Sequence, residues 1–185
     1  MLRMPSLSGN GLTKGKPWPL VLWRYELNQA LTGCGCQVLL DGDLTAFFAS
    51  RQCPGSVIRA AIDWTLQQAQ ARRVVISGFH SPLEQSVLKV LIQARSPVVA
   101  VLARPVNAAK LPSEWLEPVT QGRMAVVSAA ATAARLTGEL AMARNQLVAQ
   151  LATDIVVAHA SPGGALAGLL AQWQVNKQGL VKVLG

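Results

Sequence analysis

Short apolar runs recur along the chain, and most are followed by a longer stretch with apolar residues at helical spacing. Continuous apolar runs are typical of strands buried on both faces of a parallel sheet, and i, i+3, i+4 spacing is typical of helices with one buried face. The pattern predicts strands at 44–49, 74–77, 98–103, 124–128, 154–158 and 180–184, after a short extended piece at 38–40. It predicts helices at 57–71, 82–95, 137–152 and from the glycines at 163 and 164 to about residue 173.

Regular alternation of strands and helices implies a sheet with helices on both faces. Right-handed crossovers then give an α/β, Rossmann-like, doubly wound fold with a mainly parallel sheet of about five to six strands. In such sheets ligands bind beyond the carboxyl ends of the strands, where the strand order reverses. We therefore expect the loops 50–56, 78–82 and 159–164 to converge, with strands 44–49 and 154–158 flanking the reversal point.

The first part of the chain has no such regularity. We predict that residues 1–37 form an extension, partly disordered or packed on the core, with a short helix over 19–31, and that residues 38–185 form a single domain. The start of the chain lacks the apolar segment of a secretory signal, so a cytoplasmic location is expected. No apolar run approaches the ~20 residues that cross a bilayer, so no membrane partner is expected.

Composition narrows the class of partner. Hydrophobic residues make up 51% of the chain and charged residues 14%, which is typical of a globular protein with a large core. The formal net charge of +8 favours partners rich in phosphate, such as a nucleotide or single-stranded nucleic acid. The three cysteines suit neither a disulfide framework nor a metal finger, and no Gly-x-Gly-x-x-Gly fingerprint is present, so no metal and no cofactor are expected.

The predicted convergent loops carry the features of phosphate sites. Each loop ends at the amino terminus of a helix, where free backbone N–H groups and the helix dipole attract anions. Arg51 could add bidentate contacts to phosphate oxygens. Glycines allow a phosphate to approach the backbone closely, and they stand at Gly55, Gly78, Gly163 and Gly164.

The two histidines of the chain, His80 and His159, each follow a predicted strand. They could act as acid or base groups, contact a ligand, or serve only in the turns. Ser81 and Glu84 have the spacing of a capping box at a helix start, which explains the carboxylate without a catalytic role. We favour ligand contact over catalysis, and predict a binding protein rather than an enzyme.

Four segments resemble motifs of the DNA-processing protein A (DprA/Smf) family, within a wider group that includes the LOG-type phosphoribohydrolases. Residues 48–51 resemble its strand ending in Gly-Ser-Arg, and 77–84 are similar to its Ser-Gly-x-Ala-x-Gly-Ile-Asp. Residues 144–151 resemble Arg-Asn-Arg-Ile-Ile-Ala-Gly-Leu, and 156–164 resemble Val-Val-Glu-Ala followed by Ser-Gly-Ser. The resemblance implies ligand contacts by Ser50, Arg51, Gly78, Arg144, Asn145, Gly163 and Gly164.

The resemblance covers about residues 40–184 and implies a Rossmann-like module that binds a nucleotide or nucleic-acid phosphate. A homodimer is also expected. Ser81 stands where the family has a basic residue, and we expect no room for its flanking helical and winged-helix domains. Residues 165–170 lack the glutamate that follows Gly-Gly in the phosphoribohydrolases, which argues against that reaction. Two alternatives stay open: a nucleoside-phosphate hydrolase or transferase, and an interaction protein with a vestigial crevice.

Overall fold

The computed structural model describes residues 21–132, 135, 137–177 and 179–185. Eight strands form one sheet: β1 (Leu22–Glu26), β2 (Ala30–Gly35), β3 (Leu44–Phe48), β4 (Val74–Ser77), β5 (Val98–Val101), β6 (Met124–Ser128), β7 (Asp154–Val157) and β8 (Val181–Val183). The α-helices are α1 (Gly55–Gln70), α2 (Pro82–Gln93), α3 (Leu116–Thr120), α4 (Gly138–Leu151) and α5 (Ala165–Asn176). Short 3-10 turns lie at Gln37–Asp41, Val106–Ala108 and Ser113–Trp115.

The strand order is β1-β2-β6-β5-β4-β3-β7-β8. From β6 to β8 every neighbouring pair is parallel, whereas β1 with β2 and β2 with β6 are antiparallel. The α/β Rossmann-like class is confirmed, with more strands than the five to six expected. Successive strands run from β3 to β6 in one direction, and β7 then pairs on the other side of β3. The reversal point therefore lies between β3 and β7, as the alternation predicts.

The two faces of the sheet are covered by different helices. Phe47 and Phe48 are consecutive in β3, so their side chains point to opposite faces. Phe47 stacks on Trp64 of α1 with ring centroids 5.1 Å apart. Phe48 stacks on Trp173 of α5 at 4.6 Å. Both phenylalanines are fully buried, so β3 anchors the core on both faces of the sheet beside the reversal point.

The helix expected over 19–31 is wrong in the part that the structure describes, where β1 and β2 form a hairpin. Trp23 and Tyr25 are partly buried and alternate with exposed neighbours, which is the two-residue period of a strand. The Trp23 ring lies over Gly33, where a side chain would collide with it, and its Nε1 donates to the Gly35 carbonyl at 2.9 Å. Residues 1–20 lie outside the described part, and the boundary at residue 37 stays a prediction.

Two local boundaries also differ from the expected ones. The first helix begins at Gly55 with Pro54 as its N-cap, not at Val57 with Ser56, because the Pro54 carbonyl already accepts from the Ile58 N–H at 3.1 Å. Residues 38–40, expected to be extended, lie in a 3-10 turn. In the described ranges no helix has both the length and the apolar character needed to span a bilayer.

Candidate functional site

The loops after β3 and β7 are joined by two hydrogen bonds. The Ser50 N–H donates to the His159 carbonyl at 2.9 Å. The Ser50 hydroxyl accepts from the Ser161 N–H, also at 2.9 Å. Ser50 therefore holds the two sides of the reversal point together, and its hydroxyl is already engaged by the protein.

A buried carboxylate joins the loop after β4 to the end of β3. Glu84, only 6% exposed, accepts from the backbone N–H groups of Ala49 at 3.0 Å, His80 at 2.7 Å and Ser81 at 3.0 Å. The Ser81 hydroxyl accepts from the Glu84 N–H at 3.3 Å, which completes the predicted capping box. Burial raises the pKa of Glu84, and the three N–H donors oppose that rise. The Glu84 carboxylate therefore holds the end of β3 and the loop after β4 together.

The turn after β4 holds a buried aromatic residue in an unusual backbone conformation. Phe79 has φ 48°, in the left-handed region that favours glycine, and is 5% exposed. Its N–H donates to the Ser77 hydroxyl at 3.1 Å. The cost of a left-handed aromatic residue is offset by burial of the ring in the core, and non-glycine residues in this region concentrate at functional sites. Gly78 and His80 flank this turn.

Arg144 of α4 lies directly over Gly78. A Cβ atom at Gly78 would lie 2.5 Å from Nε and 2.8 Å from Cζ of Arg144, so this position accepts only glycine without displacing the arginine. The guanidinium is oriented by its neighbour, since Nε and Nη2 donate to Asn145 Oδ1 at 3.3 and 3.1 Å. Burial lowers the pKa of Arg144 and the Glu84 carboxylate opposes that, yet an arginine stays charged at neutral pH.

His80 lies close to two cations. Partial burial lowers its pKa most, and the positive charges of Arg144 and then Arg51 lower it further. The imidazole is therefore neutral at pH 7. The predicted residues Arg51 and Arg144 thus form one electropositive group beside the neutral His80, at the carboxyl ends of β3 and β4.

A cavity of about 260 Å³ lies beside this group. Gly78, His80 and Arg144 line it. The connection after β5 contributes further lining residues, among them Arg104 and Lys110, both exposed, and the nearly buried Trp115. None of these three was among the predicted site residues, although a connection that directly follows a parallel strand reaches the same edge of the sheet.

Other predicted residues lie outside that cavity. Arg51 lines a neighbouring depression with Ile58, Pro82 and Leu83. Gly55 lines a separate surface at the start of α1. Gly163, with φ 73°, and Gly164, the N-cap of α5, lie in the turn after β7. The ligand roles of these residues, and a catalytic role for His80 or His159, stay predictions.

Comparisons with known proteins fit this architecture. The H. pylori DNA processing protein A structure, described for its single-stranded DNA binding mode, aligns with a TM-score of 0.72 at 14% identity and covers 89% of this chain and 81% of that one. DNA processing protein A from Streptococcus pneumoniae aligns at 0.64 and 18% identity, over 83% of this chain and 53% of that one, so this chain spans about half of it.

A search of curated proteins by sequence found no match. The family model described as DNA recombination-mediator protein A matches residues 14–181, which is most of the chain. That match includes β1 to β7, the reversal point and the electropositive group described above. The chain belongs to the DNA recombination-mediator protein A family.

Proposed function

We propose that the chain binds single-stranded nucleic acid in DNA processing, through backbone phosphates held at the carboxyl ends of β3, β4 and β5. The observation that carries the proposal is the position of the Arg144 guanidinium, fixed over Gly78 in the lining of a cavity that further cations also line. Family membership and the single-stranded DNA described for the H. pylori protein support the same class of ligand.

Fixed and mobile cations have different roles in this proposal. Arg144 is buried and oriented by Asn145, so it presents its charge without a further loss of side-chain freedom. Arg51, Arg104 and Lys110 are exposed and can follow a flexible strand. Proteins that bind single strands commonly combine such a charged track with apolar or aromatic surface for the bases, and Trp115 lines the cavity.

The test is the salt dependence of binding to a fluorescein-labelled oligothymidylate, measured by anisotropy. Each phosphate contact to a single strand contributes about 0.7 to the slope of log K against log[salt]. We expect Arg51→Ala, Arg104→Ala and Lys110→Ala each to weaken binding and to flatten that slope. Arg24→Ala and Lys89→Ala remove exposed charges from β1 and from the middle of α2, and are matched controls. Equal loss in the controls and in the site variants would contradict the proposal.

We also propose that the chain acts in the cytoplasm and as a homodimer. Exposed apolar side chains cluster in sequence at the last strand and the helix before it, at Val175, Leu180 and Val183, and a second copy could cover them. Sedimentation velocity at increasing concentration tests the dimer. A single monomeric species over the whole range would overturn it.

A further inference from the structure

Helices α1 and α2 end in the same hydrogen-bonded motif. After α1, the Arg72 N–H donates to the Ala69 carbonyl at 3.2 Å and the Arg73 N–H to the Gln68 carbonyl at 3.1 Å. After α2, the Arg95 N–H donates to Ile92 at 3.0 Å and the Ser96 N–H to Leu91 at 2.9 Å. This pair of bonds defines the Schellman motif, whose C′ residue is left-handed and usually glycine.

Arginine occupies the C′ position in both motifs. Arg72 has φ 55° and Arg95 has φ 53°. Helix α3 ends in the same motif with glycine at C′, since Gly122 has φ 71° and the Arg123 N–H donates to the Pro118 carbonyl at 2.9 Å. The fold thus uses glycine at one of the three ends and places a strained, charged side chain at the other two, where glycine would be more stable.

The sheet brings the two strained arginines to the same edge. Strands β4 and β5 are neighbours, with Val75 paired to Val98, and Arg72 stands two residues before β4 and Arg95 three residues before β5. Neighbouring strands lie about 5 Å apart, so the two residues precede adjacent strands at the amino end of the sheet. Both side chains are exposed, and so is that of Arg73, directly before β4.

Two carboxylates lie on the Arg73 side of this pair, and one of them, Asp154, lines the same depression as Arg73. Asp43, in the turn before β3, lies level with Arg73, because Leu44 pairs with Val74. Its Oδ1 accepts from the Thr153 hydroxyl at 3.4 Å. In the part of the chain that the structure describes, the ion pair found is that of Arg123 with Glu117. Arg72 and Arg95 are therefore not neutralised by any described carboxylate.

We propose that Arg72 and Arg95, with Arg73 beside them, form a second surface that binds the phosphate backbone of a nucleic acid. We call it the amino-end surface. It lies at the end of the sheet opposite the carboxyl-end cavity, so it engages a different segment of the strand or a second strand. Guanidinium groups contact phosphate oxygens in a bidentate way, and two of them side by side match the repeat of a polyanion better than a single anion.

The double variant Arg72→Gly/Arg95→Gly tests the proposal with two readouts that move in opposite directions. Removal of two left-handed arginines raises Tm, by about 2 to 4 °C for a chain of this size. Removal of two phosphate contacts weakens binding of the labelled oligothymidylate and flattens the slope of log K against log[salt] by about 1.4. The control Arg24→Gln/Lys89→Gln removes the same charge from exposed positions elsewhere and leaves the slope nearly unchanged.

The same double variant in the background of Arg51→Ala/Arg104→Ala/Lys110→Ala separates this surface from the carboxyl-end cavity. Loss of the residual binding in that background supports the amino-end surface, even if the cavity variants alone have no effect. An unchanged affinity and slope in Arg72→Gly/Arg95→Gly would overturn the proposal, whatever the cavity variants show. A lower Tm with unchanged binding would assign the arginines to the helix ends and would also overturn it.

Discussion

At the scale of single residues, the candidate site depends on the close approach of the Arg144 guanidinium to Gly78. The Arg144 guanidinium occupies the space that a side chain at residue 78 would fill, and Asn145 holds it there. The resemblance implied site roles for Gly78, Arg144 and Asn145, but it did not indicate that they contact one another. Gly78 is required by the position of an arginine 66 residues later in the chain, and a contact of that kind has no local signal.

Gly78→Ala is expected to displace the Arg144 guanidinium and leave the rest of the fold in place. A charge-assisted contact is worth about 1.5 to 3 kcal/mol, so we expect the oligothymidylate to bind at least about tenfold more weakly. Anisotropy measures the affinity and circular dichroism the fold. Gly42→Ala is the matched control, because a Cβ there meets nothing within 4 Å. Equal affinity in both variants would show that Arg144 does not contact the strand.

The lowered pKa of His80 implies that the stability of the fold depends on pH. Its pKa in the folded chain is lowered from 6.5, mainly by burial and then by the two arginines. The unfolded chain therefore binds this proton at a higher pH than the folded chain, and the free energy of unfolding falls as the pH drops from about 6.5 through the folded-state pKa. Thermal unfolding between neutral and mildly acidic pH measures the fall. His80→Gln should show less of it, and an identical fall in the variant would contradict the assignment.

At the scale of elements, the start of α2 does more than begin a helix. Sequence spacing alone predicts the capping box of Ser81 and Glu84, because both partners lie within one turn. The third bond of Glu84, from the Ala49 N–H at the end of β3, joins two loops 35 positions apart and has no local signal. The hairpin of β1 and β2 was missed although the two-residue alternation of β1 is local, whereas the pairing of β2 with β6, almost a hundred residues later, has no local signal.

Glu84→Gln tests the link between these elements. The amide keeps one acceptor oxygen and sets an NH2 group in place of the other, so at least one of the three backbone N–H groups loses its acceptor. Buried hydrogen bonds to a charged group are worth about 1.5 to 3 kcal/mol each. We expect the free energy of unfolding in urea to fall by about 3 kcal/mol. Glu26→Gln, on the exposed face of β1, should change it by less than about 0.5 kcal/mol. If Glu84→Gln lowered the free energy of unfolding by as little as Glu26→Gln, the carboxylate would not be holding the two loops together.

At the scale of the whole molecule, the alternation of strands and helices was sufficient to predict the class of fold and to nominate the edge of the sheet where the candidate cavity lies. Those features follow from the regular crossovers of a parallel sheet. The cations of the connection after β5 were missed, because that long segment with its prolines carries no helical or strand period. The left-handed arginines were missed too, since glycine is the residue that such turns normally predict.

The pairing of β2 with β6 has a consequence for solubility. β6 would otherwise be the outermost strand of the parallel part of the sheet, with all five of its residues buried in the intact chain and one row of backbone N–H and C=O groups open to any other extended segment. Such an edge promotes aggregation, and the hairpin shields it. A chain that begins at residue 37 should therefore aggregate, which light scattering would measure. Addition of a peptide of residues 21–36, which can pair with the open edge of β6, should keep the shortened chain dispersed.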